Sequence, residues 1–359
     1  MNRTSERKLE HLKICAERRV EYEVSSFEDV RLVHIAAPEI DMKEVDPGIS
    51  FLGKHFNVPI MISSMTGGHP DTLKVNKALA SAAEELEIGM GVGSQRAALE
   101  DPSQEDSFRV VRDSAPNTFI YGNIGAVQLK KNGVEIVERI IEMIDADAVA
   151  IHLNFLQEAI QPEGEVDASG VLDSIKEVCS QVQIPIIVKE TGAGICSSVA
   201  EKLVKAGVSA IDVGGAGGTS WAGVEVHRAK AEGEEVLEDL GKLFWNWGVP
   251  TPVSIVGCSS FDVPIVSSGG IRTGLDIAKS ISLGADVCSA ALPFVKSALK
   301  GADEVVERID KMSGELKVAM FLSGCATIEE LKRAQIVVMG KTKEMIIQEG
   351  KKWGVKLNE

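Results

Sequence analysis

The chain has 359 residues, 44% of them apolar, enough to bury a large core. Its formal charge is −15, from 38 Lys and Arg against 53 Asp and Glu, which disfavours non-specific binding to nucleic acid or an anionic membrane. An anionic ligand would need a local cluster of cations, so each Arg or Lys in a Gly-rich loop gains weight.

Residues 1–57 read as an arm ahead of the main domain, 58–359, and open with a helix at Ser5–Glu17. Lys8 and His11 are one turn apart and can share a face, with Arg7 beside them, although a solvated charged helix is the ordinary reading. The first apolar, strand-like run is Val58–Ser64, which leads into "MTGG" (Met65–Gly68) and a helix at Asp71–Leu86. The second, Gly89–Ser94, leads into "GSQR" (Gly93–Arg96). Gly89–Ala98 could pass for a dinucleotide fingerprint, but its glycine spacing is loose and Arg96 stands where a small residue should let a helix pack close. The third run, Thr118–Asn123, overlaps "GNIG" (Gly122–Gly125) and precedes a helix at Val134–Ile144.

The fourth run, Ala148–Asn154, ends in "HLNFLQE" (His152–Glu158). His152 and Asn154 are two apart and face one side while the strand lasts. A mouth-facing His could carry a proton or donate to an anion, though taken alone it is more often structural. Glu158 could hold magnesium, which favours few carboxylates plus phosphate oxygens and water. A long connection, Phe155–Ser169, and a helix at Val171–Gln181 lead to the fifth run, Ile184–Glu190, which ends in "KET". Lys189 there projects into the mouth and needs an anionic partner such as an electron-rich cofactor ring. An ion pair with Glu190 is disfavoured, because neighbouring strand residues point to opposite sides.

A helix at Ser197–Ala206 precedes the sixth run, Ala210–Gly214, and a second long connection follows at Thr219–Gly248. Long connections of this kind usually cover a site. After the seventh run, Pro264–Ser268, Gly269 and Gly270 let backbone N–H groups approach an anion, Arg272 adds charge, and a helix begins near Thr273. The eighth run, Val287–Ala291, again ends in small residues, Ala290 and Ala291, before a helix at Phe294–Lys300. Loops after strands seven and eight are where many barrels hold a phosphate.

Eight buried, strand-like runs separated by helices predict one α/β domain, a (β/α)8 TIM barrel with an N-terminal helical arm and long loops after strands four and six. An open doubly wound sheet fits less well, because polar or Gly-rich ends recur after nearly every strand, as a ring of loops around one mouth requires. The six scattered cysteines form no CxxC pair and no zinc spacing and read as reduced thiols. Residues 1–20 lack a signal-peptide core, and no run approaches the ~18 apolar residues of a membrane span. A cytoplasmic protein is expected.

The motifs "MTGG", "GSQR", "GNIG", "HLNFLQE", "PEGE" (Pro162–Glu165), "KET", "GGAGGTSW" (Gly214–Trp221) and "SGGIR" (Ser268–Arg272) keep an order that resembles the type 2, flavin-dependent isopentenyl-diphosphate isomerases. The resemblance runs from Arg7-Lys8 almost to the C-terminus and departs at Phe155, where Pro or Val is commoner. It implies a homo-oligomer, tetramer or octamer, holding FMN that is active when reduced, with NAD(P)H as reductant. FMN is then expected to contact Met65, Thr66, Gly67, Ser94, Asn123, Lys189 and Thr219, its phosphate resting on Gly269, Gly270, Arg272, Ala290 and Ala291. The diphosphate of isopentenyl or dimethylallyl diphosphate is expected at Arg7, Lys8, Ser94, Gln95, Arg96 and His152, with His11 and Asn154 also binding substrate. Magnesium would be held through Glu158, with Gln157 at the hydrocarbon end and Trp221 and Glu225 near the flavin edge. His152, Gln157, Lys189, Trp221 and Glu225 are the implied catalytic set. Two other readings stand against this one. A 2-hydroxy-acid oxidase wants a His and an Arg in the sixth-strand region, and "VGGAGGTSW" has neither. A non-catalytic phospholigand barrel would not need both Lys189 and the His152–Glu158 cluster.

Overall fold

The computed structural model describes residues 3–23 and 26–353; the last six residues of the expected barrel domain lie outside the described residues. Eight parallel strands close into a barrel: Ile60–Ile62, Gly89–Gly91, Ile120–Gly125, Ala148–Leu153, Ile186–Glu190, Ala210–Asp212, Ile265–Ser268 and Val287–Ala290. Each pairs with its predecessor, and the eighth returns to the first through Cys288↔Ile60 and Ala290↔Ile62. Every predicted run therefore holds a strand, though most strands are shorter than the run. At the mouth, residues such as Ser64 and Ser94 leave the ladder and line the cavity instead.

Helices lock the strands from outside and end where glycine lets them. Ser197–Ala206 stops at Gly207 (φ 90°), and the sixth strand starts three residues later. Gly274–Ser282 begins with a reciprocal Thr273–Asp276 capping box directly after the seventh-strand loop. The far end of the barrel is plugged by a hairpin of Ile49–Phe51 and Lys54–Phe56. Its Phe51 and Phe56 pack on Phe119, just ahead of the third strand, at 6.2 and 5.8 Å.

Three features differ from the sequence reading. The long connection after the sixth strand is helical, with Trp221–Glu232 and Glu235–Leu243, followed by Thr251–Cys258. The first of these is buried nearly all round, at Ala222 through Val226, Arg228 and Ala229, so it carries no amphipathic period to read. The arm also joins two short β pairings. Val30–Leu32 pairs antiparallel with Ile336–Val338, and Val20–Tyr22 lies against Gly218–Ser220 through Ser220 N donating to Val20 O (2.7 Å) and Tyr22 N to Gly218 O (2.9 Å). Finally, the longest helix, Ala302–Leu322, covers Gly274–Ser282 and Leu73–Glu85 outside the barrel.

Candidate active site

One large cavity opens at the C-terminal ends of the strands, floored by the barrel and roofed by the Arg3–Glu17 helix. Register sets its floor. His152 pairs with Lys189, and Lys189 with Asp212, so the three lie side by side on neighbouring strands and share a face of the sheet. The Asp212 carboxylate takes the hydroxyl of Ser268 and the N–H of Gly214, and burial raises its pKa against the pull of Lys189. Sequence reasoning missed Asp212; a lone acid inside the apolar "SAIDVGG" was the available signal.

Lys189 lines the cavity, 6% exposed, and its ammonium donates to Glu190 O at 3.2 Å. Glu190 also borders the cavity, but its carboxylate is spent on the backbone that follows it rather than on Lys189. Its Oε2 takes the N–H groups of Thr191 and Gly192, each at 2.6 Å, along with those of Ala193 and Gly194. Burial outweighs those bonds and lifts its pKa to about 7. No Lys189–Glu190 ion pair forms among the side chains.

At one end of the cavity, bare backbone does the lining. Gly269 and Gly270 have φ of 97° and 89°, and a Cβ on Gly269 would meet Gly215 O at 2.0 Å. Only glycine lets the loops after strands six and seven stack while both face the cavity. Ala290 and Ala291 line the same cavity, as does Thr66, whose Oγ1 is buried without a hydrogen-bond partner. A cradle of glycine and alanine with the Arg272 guanidinium two residues beyond Gly270 fits a phosphorylated cofactor.

Cations gather elsewhere on the wall. Arg7, Lys8 and Arg96 all line the cavity. The loop "PEGE" holds two of them: Glu163 meets Arg7 (3.3 Å) and Glu165 meets Arg96 (3.3 Å). Arg7 Nε remains buried without a partner. Lys8 is pushed down to about 7, by burial first and then by Arg7 and Arg96. His152 lies well below the usual histidine value through burial, Lys189 and Lys8. Its Nδ1 donates to Asn123 Oδ1 (2.9 Å), an orientation fixed by Asn123 Nδ2 donating to Val92 O, so Nε2 carries the lone pair.

Most of the expected residues converge. Met65, Thr66, Ser94, Asn123, Asn154, Gln157, Glu158, Thr219, Trp221 and His11 line the cavity with those already named. Glu158 accepts from Asn154 Nδ2 (2.9 Å), Gln161 Nε2 (2.7 Å) and Glu165 N (2.7 Å). Three residues do not reach the wall. Gln95 is 0% exposed and spends its amide on Ile140 O (3.1 Å) and Asn123 N (3.0 Å), so its side chain is a strut rather than a diphosphate ligand. Gly67 (φ 138°) stands behind the wall, where a Cβ would strike Phe108 at 2.2 Å. Glu225 is 1% exposed and sits one layer back, touching Gln157 Nε2 (3.0 Å), His11 Nε2 (3.3 Å) and Arg228 Nη1 (2.7 Å).

The comparisons agree with this geometry. Residues 146–338 match the family model "FMN-dependent dehydrogenase". A mandelate oxidase structure superposes with a TM-score of 0.62 at 18% identity, covering 92% of this chain and 95% of the other. A lactate oxidase from Pediococcus acidilactici gives 0.62 at 16%, covering 92% and 87%. At such identities these structures share the fold alone, and the barrel is of the FMN-dependent class.

The sequence relatives are far nearer. The isopentenyl-diphosphate delta-isomerase of Methanococcoides burtonii is 61% identical over 350 residues, 97% of this chain and 96% of its own. That of Archaeoglobus fulgidus is 55% identical over 343 residues, 96% and 98%. The chain belongs to the isopentenyl-diphosphate delta-isomerase family, of the flavin-dependent type 2, and is an enzyme.

Proposed function

We propose that the enzyme interconverts isopentenyl and dimethylallyl diphosphate with FMN in its reduced form, NAD(P)H serving as reductant and magnesium bound through Glu158. The observation that carries this reading is a single cavity lined both by the glycine–alanine phosphate cradle and by a separate cluster of three cations. A cofactor phosphate and a substrate diphosphate each have a place, in a chain whose net charge is −15.

Bound reduced FMN would supply the proton donor and acceptor at the substrate's double bond. The chain's own residues do the rest. Arg7, Lys8 and Arg96 hold the diphosphate, Gln157 walls the hydrocarbon end and Trp221 lies near the flavin edge, where a cationic transition state must be kept from water. The Lys189 ammonium faces the cavity and balances negative charge on the cofactor ring. Among the described residues no group of three His, Cys, Asp or Glu side chains could cage a metal, which suits magnesium held by one carboxylate together with substrate phosphate oxygens.

The oxidase alternative meets a physical obstacle. His227 and Arg228 follow the sixth strand, but the His227 ring bonds to Arg19 O (3.0 Å) and Arg228 is saturated by carboxylates; neither lines the cavity. The unpaired cysteines suit a reducing cytoplasm. No described helix is long and apolar enough to cross a membrane. An exposed stripe of Val236, Leu240, Leu243 and Trp247 supports self-association into a homo-oligomer, to be checked by light scattering of wild type and Leu243→Lys.

The deciding experiment is anaerobic. Enzyme reduced once with dithionite and given isopentenyl diphosphate in heavy water should release deuterated dimethylallyl diphosphate over many turnovers while the flavin stays reduced. Stoichiometric flavin oxidation would return the oxidase reading. Equal turnover with oxidised or absent flavin would move the proton chemistry onto protein side chains.

A further inference from the structure

Arg228 lies on the Trp221–Glu232 helix, 4% exposed and outside the cavity wall. Its guanidinium nevertheless meets carboxylates from three separate segments. Nη1 donates to Glu225 Oε2 at 2.7 Å, Nη2 to Glu163 Oε1 at 3.0 Å, and Nε to Glu10 Oε2 at 3.0 Å. Glu10 belongs to the N-terminal helix and Glu163 to the loop after the fourth strand. Glu232, one turn along, stands 3.9 Å away.

Each of two carboxylates then holds part of the cavity wall. Glu163 Oε1 also meets Arg7 (3.3 Å), while Glu225 Oε1 receives Gln157 Nε2 (3.0 Å) and faces His11 Nε2 (3.3 Å). An ionised carboxylate only accepts hydrogen bonds, so Glu225 dictates which end of the Gln157 amide and which His11 nitrogen point towards it. Without the guanidinium, Glu10, Glu163 and Glu225 would crowd together with Arg7 as their remaining strong cation, and the N-terminal helix would be pushed off its seat. A planar fork with five donors can serve three carboxylates at once; an ammonium is a point charge on a shorter reach.

We propose that Arg228 is a positioning residue for the isomerisation: its fork clamps the N-terminal helix and the fourth-strand loop onto the sixth-strand helix and so fixes Gln157 and His11 against the substrate. The proposal rests on the isomerase reading of the cavity. Electrostatics accord with the clamp. Burial would raise Glu225, but the His11 hydrogen bond and the charges of His11 and Arg228 hold it at about 2. His11 itself is pushed down, by burial first and with Arg228 and Lys8 contributing, against the upward pull of Glu225. The Arg228 guanidinium, charged at any pH the fold survives, is the permanent positive partner of Glu225.

The test compares wild type, Arg228→Gln, Arg228→Lys and, as a control for charge on the exposed side of the same helix, Lys230→Gln. Arg228→Gln should keep its flavin, lose roughly tenfold or more in kcat and gain several-fold in KM for isopentenyl diphosphate. Its pH–rate profile should acquire an acid limb absent from wild type, because burial then raises Glu225 unopposed by Arg228. Hydrogen exchange over Arg3–Glu17 should quicken, added guanidinium should restore part of the rate, Arg228→Lys should fall between, and Lys230→Gln should match wild type.

Unchanged kcat, KM and pH profile in Arg228→Gln would overturn the proposal. So would a loss that merely tracks the folded, flavin-loaded fraction with an unshifted profile. If Arg228→Gln does not fold, Glu10→Gln and Glu163→Gln each remove one arm of the clamp. Faster exchange in the N-terminal helix with a raised KM would support it, and wild-type values would sink it. A wild-type enzyme inert towards isopentenyl diphosphate would instead defeat the functional reading, and the exchange measurement would still decide whether the clamp exists.

Discussion

Glu21 Oε1 receives both Nη2 (2.6 Å) and Nε (2.9 Å) of Arg272, so the N-terminal arm, just past its first helix, is fastened to the loop after the seventh strand. Arg272 also lines the cavity beside Gly269 and Gly270. A guanidinium oriented by a carboxylate on one side can present its remaining donors to a phosphate on the other.

Arg272→Ala should therefore weaken FMN retention more than substrate binding. A charged phosphate contact contributes roughly 1.5–3 kcal/mol, or about ten- to hundredfold in affinity. Flavin titration of the apoprotein measures it, and an unchanged FMN affinity would show the phosphate lies elsewhere.

Substrate binding should take up protons on the alkaline side of neutrality. Lys8 is held at about 7 in the free enzyme by burial, Arg7 and Arg96. A diphosphate beside it favours the ammonium and raises that value, so uptake occurs from about pH 7 up to the raised value and vanishes below it, where Lys8 is charged in both states. Calorimetry in buffers of different ionisation enthalpy reads the proton count directly. KM should climb as pH rises above 7, and Lys8→Met should remove Lys8's share of the uptake. A proton count independent of both pH and Lys8 would contradict this.

Glu158→Gln should abolish magnesium stimulation while leaving flavin bound. The amide keeps the shape of the group held by Asn154, Gln161 and Glu165 N but is a poor ligand for a hard cation. Unaltered magnesium dependence of turnover would rule Glu158 out as the metal residue.

Gln95→Leu separates a strut from a ligand. The variant leaves Asn123 N unpaired in the interior and removes the amide's second bond to the helical Ile140 O, at a cost of about 1–3 kcal/mol for the orphaned group. Thermal unfolding should move down by several degrees, with KM for isopentenyl diphosphate changed less than in Arg96→Ala. The reverse ranking would return Gln95 to the diphosphate site.

The barrel was legible in the sequence because each strand is an apolar run bounded by glycine or a polar turn. The phosphate end was legible because backbone that must approach an anion requires residues such as Gly269, Gly270, Ala290 and Ala291. What escaped depends on tertiary neighbours. Gln95 sits in the same motif as Ser94 and Arg96, and only the position of Ile140, brought up by a helix 45 residues later, decides that its side chain points inward. The parts of Glu163 and Arg228 were equally invisible, since their partners lie 65 residues apart and join only through the fold. Asp212 shows the opposite failure: the residue stood in plain view within a predicted strand, but its side of the sheet follows from register with Lys189.

The pairing of Val20–Tyr22 with Gly218–Ser220 links two events that chemistry keeps apart. The helix bearing Arg7, Lys8 and His11 ends at Glu17, three residues before that pairing, and the paired loop leads from the one stacked on Gly269. By thermodynamic reciprocity, the factor by which bound cofactor favours the docked helix equals the factor by which the docked helix favours cofactor. An enzyme saturated with isopentenyl diphosphate should accordingly release its flavin more slowly than one at rest, and an enzyme stripped of flavin should be the one whose amino-terminal helix a protease finds first.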